Sequence, residues 1–137
     1  MGDPFEKTCM ELERAVHQHW STCAALCAVL PVERLFAGQA PPNLPWPYVT
    51  MDRGHTTIQR TSSPGILQTI VLRLNIWDER LDRAQQVAEE IAAALNRQSL
   101  GSGAVRVLDL RMTGISPEQQ PDGVWRLSVE FTARVTE

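Results

Sequence analysis

The stretch Ile66–Leu95, ILQTIVLRLNIWDERLDRAQQVAEEIAAAL, carries two hydrophobic periodicities back to back. From Ile66 to Ile76 the even positions read Ile66, Gln68, Ile70, Leu72, Leu74 and Ile76, while the odd ones include Thr69, Arg73 and Asn75. A period of two sends alternate side chains to opposite faces, so this segment predicts a strand with one apolar face. After Asp78 the period lengthens. Leu81, Ala84, Val87, Ala88, Ile91, Ala92 and Leu95 fall at helical spacing, with Glu79, Arg83, Gln86, Glu89 and Glu90 off the stripe. Asp78 is the expected N-cap between them, a carboxylate able to accept from the free N–H groups of the first turn. A strand leading straight into an amphipathic helix must fold that helix back, so other strands are expected to pair with this one and another helix to lie beside this helix.

Upstream, a helical pattern covers Glu6 to Ala28, with Leu12, Ala15, Val16, His19, Cys23, Leu26, Cys27 and Leu30 as its stripe. Pro31 stops it. The segment AGQAPPNLPWPY, with four prolines between Pro41 and Pro47, reads as a stiff extended lead-in to a short strand at Tyr48–Met51. Arg53 to Gly65 is polar and rich in breakers, which suggests the tip of an extended hairpin. Downstream, RQSLGSG reads as a loop, and Ala104 to Thr113 as a third strand whose alternation breaks near Leu108, where a bulge is expected. Gly114 to Gly123 reads as a polar turn. The last strand alternates cleanly, with Trp125, Leu127, Val129, Phe131, Ala133 and Val135 on one face. The expected fold is α+β: a two-layer sandwich of a mainly antiparallel four-stranded sheet with two helices on one face. Its order is α-β-β-α-β-β, with a projecting hairpin, in a single domain over residues 1–137.

Composition narrows the function. The chain is 43% hydrophobic and 21% charged, ordinary for a globular protein. Its formal charge of −3 gives no basic footprint, so sequence-specific nucleic-acid binding is not expected. No apolar run is long enough to cross a bilayer, and the opening Met-Gly-Asp-Pro lacks the layout of a signal peptide, so no membrane partner is expected. Cys9, Cys23 and Cys27 are odd in number and share one predicted helix, which points to a reducing compartment without disulfides.

Catalytic and metal motifs are missing: there is no phosphate-binding Gly-rich loop, nucleophile elbow, CxxC or HExxH. His17, His19, Cys23 and Cys27 come nearest to a metal set, but usual sites draw ligands from more than one element, and small cysteines lining a helix face account for them better. His55 with Asp52 and Arg53 sits on the polar hairpin, where a solvated loop is a better account than an acid–base cluster. The charges from Asp78 to Arg83 suit a helix start, and Trp46, Trp77 and Trp125 read as core or interface aromatics. No enzyme, metal or cofactor is expected. The rival from another class is a small-ligand-binding α+β domain, for which Gln68 and His19 are the evident inward polar groups.

Four segments carry a resemblance: Pro47-Tyr48-Val49-Thr50, LRLNIWDE (Leu72 to Glu79), DRAQQVAEEIAAAL (Asp82 to Leu95) and GVWRLSVEFTARV (Gly123 to Val135). The chain resembles the tail terminator, or tail-completion, proteins of long-tailed bacteriophages and their prophage relatives. The resemblance implies a non-catalytic protein that forms a ring, commonly a hexamer, caps the finished tail tube and offers a surface for head–tail joining. Its partners would be copies of itself, the tail tube protein and a head–tail connector or stopper. It would reside in the virion tail or neck, and in the host cytoplasm during assembly. Trp46, Tyr48, Arg53, His55 and Arg60 are then the expected contacts with neighbouring copies or the tube. Another neck or head-closure component is the alternative within this class. The long first helix rich in Cys and His, and the dense prolines, depart from the family pattern.

Overall fold

The period-two segment forms the central strand. In this computed structural model, which describes residues 4–60, 66–102 and 105–136 and the side chains of 8–53, 67–101 and 106–136, β3 spans Ile66–Asp78. It lies between β2 (Tyr48–Arg60) and β6 (Trp125–Thr136), antiparallel to both. Gln68, Ile70, Leu72, Leu74 and Ile76 are buried, and Thr69, Val71, Arg73 and Trp77 face the other way, half-buried. Helix α3 (Leu81–Leu95) returns across β3 and β6, burying Ala84, Val87, Ala88, Ile91 and Leu95. On β6, Leu127, Val129, Phe131, Ala133 and Val135 are buried as the alternation predicts.

The sheet itself differs from the expectation. It has six strands in the order β1-β2-β3-β6-β5-β4, where β1 is Leu35–Ala37, β4 is Leu100–Ser102 and β5 is Val105–Gln119. β1 runs parallel to β2, so the sheet is mixed, and it curls into a half-barrel. This replaces the four-stranded, mainly antiparallel sandwich, although the class is still α+β. The two strands outside the expected four are three residues each, too short to display a period. One follows a 3₁₀ turn at Val32–Arg34, and the other lies in RQSLGSG, whose glycines suggest a loop.

The described part of the hairpin lies within the sheet. β3 is flanked by β6 from Leu67, opposite Thr136, to Asp78, opposite Trp125. β2 stays paired with β3 through the polar segment to Arg60, aided by the β-formers Thr56 and Thr57. The expected tip at 61–65 lies outside the described residues. β5 bulges at Leu108 as predicted, with the register shifting between Val107 and Asp109, and shifts again between Met112 and Gly114. It then continues through the supposed turn, carrying Pro117, which a sheet tolerates where no further strand needs its N–H. The true turn is shorter. Gly123 donates its N–H to the Gln120 carbonyl at 2.9 Å, at a φ of 89° that suits glycine.

The first helix is broken. α1 (Pro4–Thr22) and α2 (Ala24–Val29) meet at Cys23, whose backbone is extended. Near the break, the Ser21 and Thr22 hydroxyls donate to the Gln18 and His19 carbonyls at 2.6 and 2.7 Å, local bonds that compete with regular helix. Trp20 holds the corner. Its carbonyl accepts the Cys23 N–H at 3.1 Å and the Cys27 thiol at 3.2 Å, while its indole N–H donates to the Leu30 carbonyl at 3.0 Å. Trp20 is fully buried in the same core cluster as Leu12, Ile70, Ile91 and Phe131.

Asp78 is not the N-cap. That position is Arg80, which makes no side-chain cap bond. The carboxylate of Asp78, at the end of β3, is buried and accepts the Arg80 N–H at 3.1 Å. It also accepts two bonds from the Arg83 guanidinium, at 2.5 and 2.6 Å. The strand-to-helix corner is therefore clamped by a bidentate ion pair, the strong geometry for a carboxylate and an arginine.

Candidate assembly surface

The sheet face turned away from the helices carries rows of directly opposed side chains. Tyr48 on β2 pairs with Trp77 on β3, Trp77 with Arg126 on β6, and Arg126 with Glu118 on β5. Trp46 stacks on Tyr48 with ring centroids 5.5 Å apart, and Tyr48 on Trp77 at 6.3 Å. The Arg126 guanidinium lies 5.9 Å from the Trp77 ring centroid and reaches Glu118 at 2.6 Å. The Trp77 indole N–H donates to the Thr50 hydroxyl at 3.0 Å. Each aromatic contact contributes ~0.5–1.5 kcal/mol beyond burial, and the cation–π contact about 0.5–1 kcal/mol. The row is thus rigid, and its three rings remain half-exposed.

A second row crosses the same face. Arg73 lies opposite Asp52 and Glu130, at 3.4 and 3.7 Å. Asn75 donates to Asp52 at 2.7 Å and accepts from the Ser128 hydroxyl at 2.7 Å. Between the rows Gly114 leaves a dent of about 290 Å³, lined by Arg73, Ser116, Arg126, Ser128 and Glu130. These ion pairs join exposed groups and contribute ~0–1 kcal/mol each. They present charge and hydrogen-bonding groups outward, without a dry cleft in which a proton or nucleophile could be activated.

Tyr48 is the only tyrosine in the chain, which makes it a reporter of the row. Burial first, and the nearby Asp122 carboxylate second, raise its phenol above the ordinary value near 10. The folded state therefore favours the neutral phenol. That contribution to stability is fully present below about pH 10 and is lost as pH rises through the folded value. Absorbance titration of tyrosinate is expected to give a higher midpoint in the native protein than in denaturant, and Asp122→Asn to lower the native midpoint part-way. Equal midpoints in native and denatured protein would contradict the burial of Tyr48 described.

The residues expected as contacts separate. Trp46 and Tyr48 join the outer row. Arg53 does not: it lies opposite the inward Leu72, and its Nε donates to Glu13 of α1 at 2.8 Å, bracing the helix against β2. His55 and Arg60 lie on β2, and their side chains fall outside the described residues. Arg126, Glu118, Arg73 and Glu130 enter the surface only through strand register. Among the described residues no group of three or more His, Cys, Asp and Glu could hold a metal. Gln68 donates to the Thr8 hydroxyl at 3.3 Å, and the His19 Nε2 lies 2.9 Å from the Ala94 carbonyl, so both are engaged inside the fold.

Residues 14–136 match the sequence profile described as tail completion protein gp17. The chain belongs to the tail completion protein family. Among curated proteins nothing matches it. Of solved structures, a chain from the virion of a native gene transfer agent (GTA) particle superposes with a TM-score of 0.73 at 20% identity, covering 95% of this chain and 98% of that one. A second solved chain gives 0.58 at 16% identity, covering 98% and 96%. At such identities the likeness is one of fold. As a tail completion protein the chain is a structural component of the virion tail, and it is not an enzyme.

Proposed function

We propose that this tail completion protein caps the end of the tail tube as a ring of identical copies, a hexamer, and offers its free side to the head connector or stopper. The observation that carries the reading is the half-exposed aromatic row of Trp46, Tyr48 and Trp77, held by Arg126 on a polar sheet face. Rigid aromatics flanked by arginine are the side chains that anchor protein interfaces, because little conformational freedom is lost when they are covered. Trp46 and Tyr48 are contact residues in this reading, joined by Trp77 and Arg126. His55 and Arg60 on β2 remain proposed contacts, and so does Arg53, which also braces α1. Residues 1–137 work as one domain whose packed core keeps the surface in shape. The tube protein and the connector are the partners, and the host cytoplasm is where assembly occurs.

Deletion of this chain from its phage tests the proposal. Without a cap, tube growth has no stop and heads have no surface to join, so overlong tubes and tailless heads are expected. Supplying the chain in trans restores joined particles, and Trp77→Ala with Tyr48→Ala restores them poorly despite folding. Normal particles from the deletion would overturn the proposal.

A further inference from the structure

Two uncovered apolar surfaces lie on opposite sides of the central β3–β6 pair. One forms where α1 passes the β1–β2 edge: Met10, Ala37 and Met51 line it, with Glu13, Arg14 and His17 at the rim. Met10 is 54% exposed there. The other is a groove of about 530 Å³ between α3 and the far end of β5, lined by Ala88, Ala92, Met112, Ile115 and Pro117, with Glu89 at the rim. It exists because β5 outruns its roof. Ile115 and Pro117 lie opposite the buried Val129 and Leu127, yet Ile115 is 49% exposed.

The rims carry opposite charge. Arg14 pairs with Glu11 and Arg53 with Glu13, and in each pair the arginine is the more exposed partner, 59% against 15% and 33% against 13%, so the charge facing outward beside Met10 is positive. Glu89 is exposed and has no ion-pair partner among the described residues. Pro117 removes an N–H from the β5 edge, which hinders a neighbour from simply extending the ladder and leaves side chains to make the contact.

We propose that the Met10 surface of one copy seats in the α3–β5 groove of the next, with Arg14 facing Glu89. This rests on the ring reading above and names the contact that builds the ring. The occupant is a second copy because one chain carries both halves, with complementary rims. The surfaces differ, so the contact is heterologous: every copy keeps one half free until rotation closes the ring.

The test places a photo-crosslinking residue at position 10 in place of Met10, irradiates the full chain with and without tail tubes, and maps the products by mass spectrometry. Crosslinks to residues 85–92 or 112–117 of another copy are expected. Arg14→Glu and Glu89→Arg should each weaken self-association about tenfold, ~1.4 kcal/mol, and the double variant should recover most of it. Rings whose position-10 crosslinks land elsewhere, or charge variants without mutual rescue, would overturn this contact and leave the ring standing. Wild-type protein that neither self-associates nor decorates tube ends would overturn both.

Discussion

Trp20→Ala is expected to lower the unfolding free energy by about 3–5 kcal/mol, the cost of emptying a large buried aromatic site. Trp20 is fully buried, and its indole N–H satisfies the Leu30 carbonyl at 3.0 Å. Its own carbonyl collects the Cys23 N–H and the Cys27 thiol where the helix breaks. Truncation therefore opens a cavity and removes the donor to Leu30 at once. Trp20→Phe separates the two effects: it keeps most of the volume but removes the donor, and should cost ~1–3 kcal/mol. Urea unfolding followed by circular dichroism measures both. A loss under about 1 kcal/mol for Trp20→Ala would mean that the corner between α1 and α2 is not held as described.

Arg83→Ala is expected to be the next most damaging, at about 2–4 kcal/mol, because it strands the buried Asp78 carboxylate. The figure sits below the full cost of breaking a buried pair for two reasons. Arg83 is 35% exposed, so solvent already screens its side of the pair, and the Arg80 N–H still serves Asp78. Asp78→Asn should cost less than Arg83→Ala, since the amide carries no charge to strand and the freed guanidinium can turn to water. The same denaturation experiment ranks them. If Asp78→Asn proved the worse of the two, the corner would depend on the carboxylate's bond to Arg80 rather than on the ion pair.

What was legible in the sequence followed from periods long enough to repeat. Ile70 to Ile76, Leu127 to Val135 and the α3 stripe each run several periods, and the structure buries the residues so marked except Leu81 and Ala92 of α3, which are half-buried. The bulge at Leu108 was also legible, because a missed beat in an alternating strand has one simple cause. β1 and β4 were not, since three residues cannot show a period and their pairing depends on partners elsewhere in the chain. Trp20 was hidden differently: a stripe drawn along one unbroken helix passes it by, and the break at Cys23 is stabilised by contacts to Leu30 and Cys27 that form only on folding.

The outward row of the sheet was half legible. Trp46 and Tyr48 could be singled out next to the prolines, but Arg126 and Glu118 join them only because the register sets Tyr48, Trp77, Arg126 and Glu118 opposite one another across four strands. Arg53 illustrates the converse. On β2 it lies opposite Leu72 and turns toward Glu13 of α1, so it joins the helix side of the sheet rather than the outer row. Polarity alone does not tell which side of a sheet a residue takes at its edge. Register does.

The central claim is that the outside of this folded unit, rather than a cavity within it, performs the work by closing the tail tube. Negative-stain microscopy of purified protein mixed with matching tail tubes tests it most directly. The account predicts rings seated at tube ends, diminished by Tyr48→Ala with Trp77→Ala in protein that still folds. Tubes whose ends stay bare at saturating protein would contradict it.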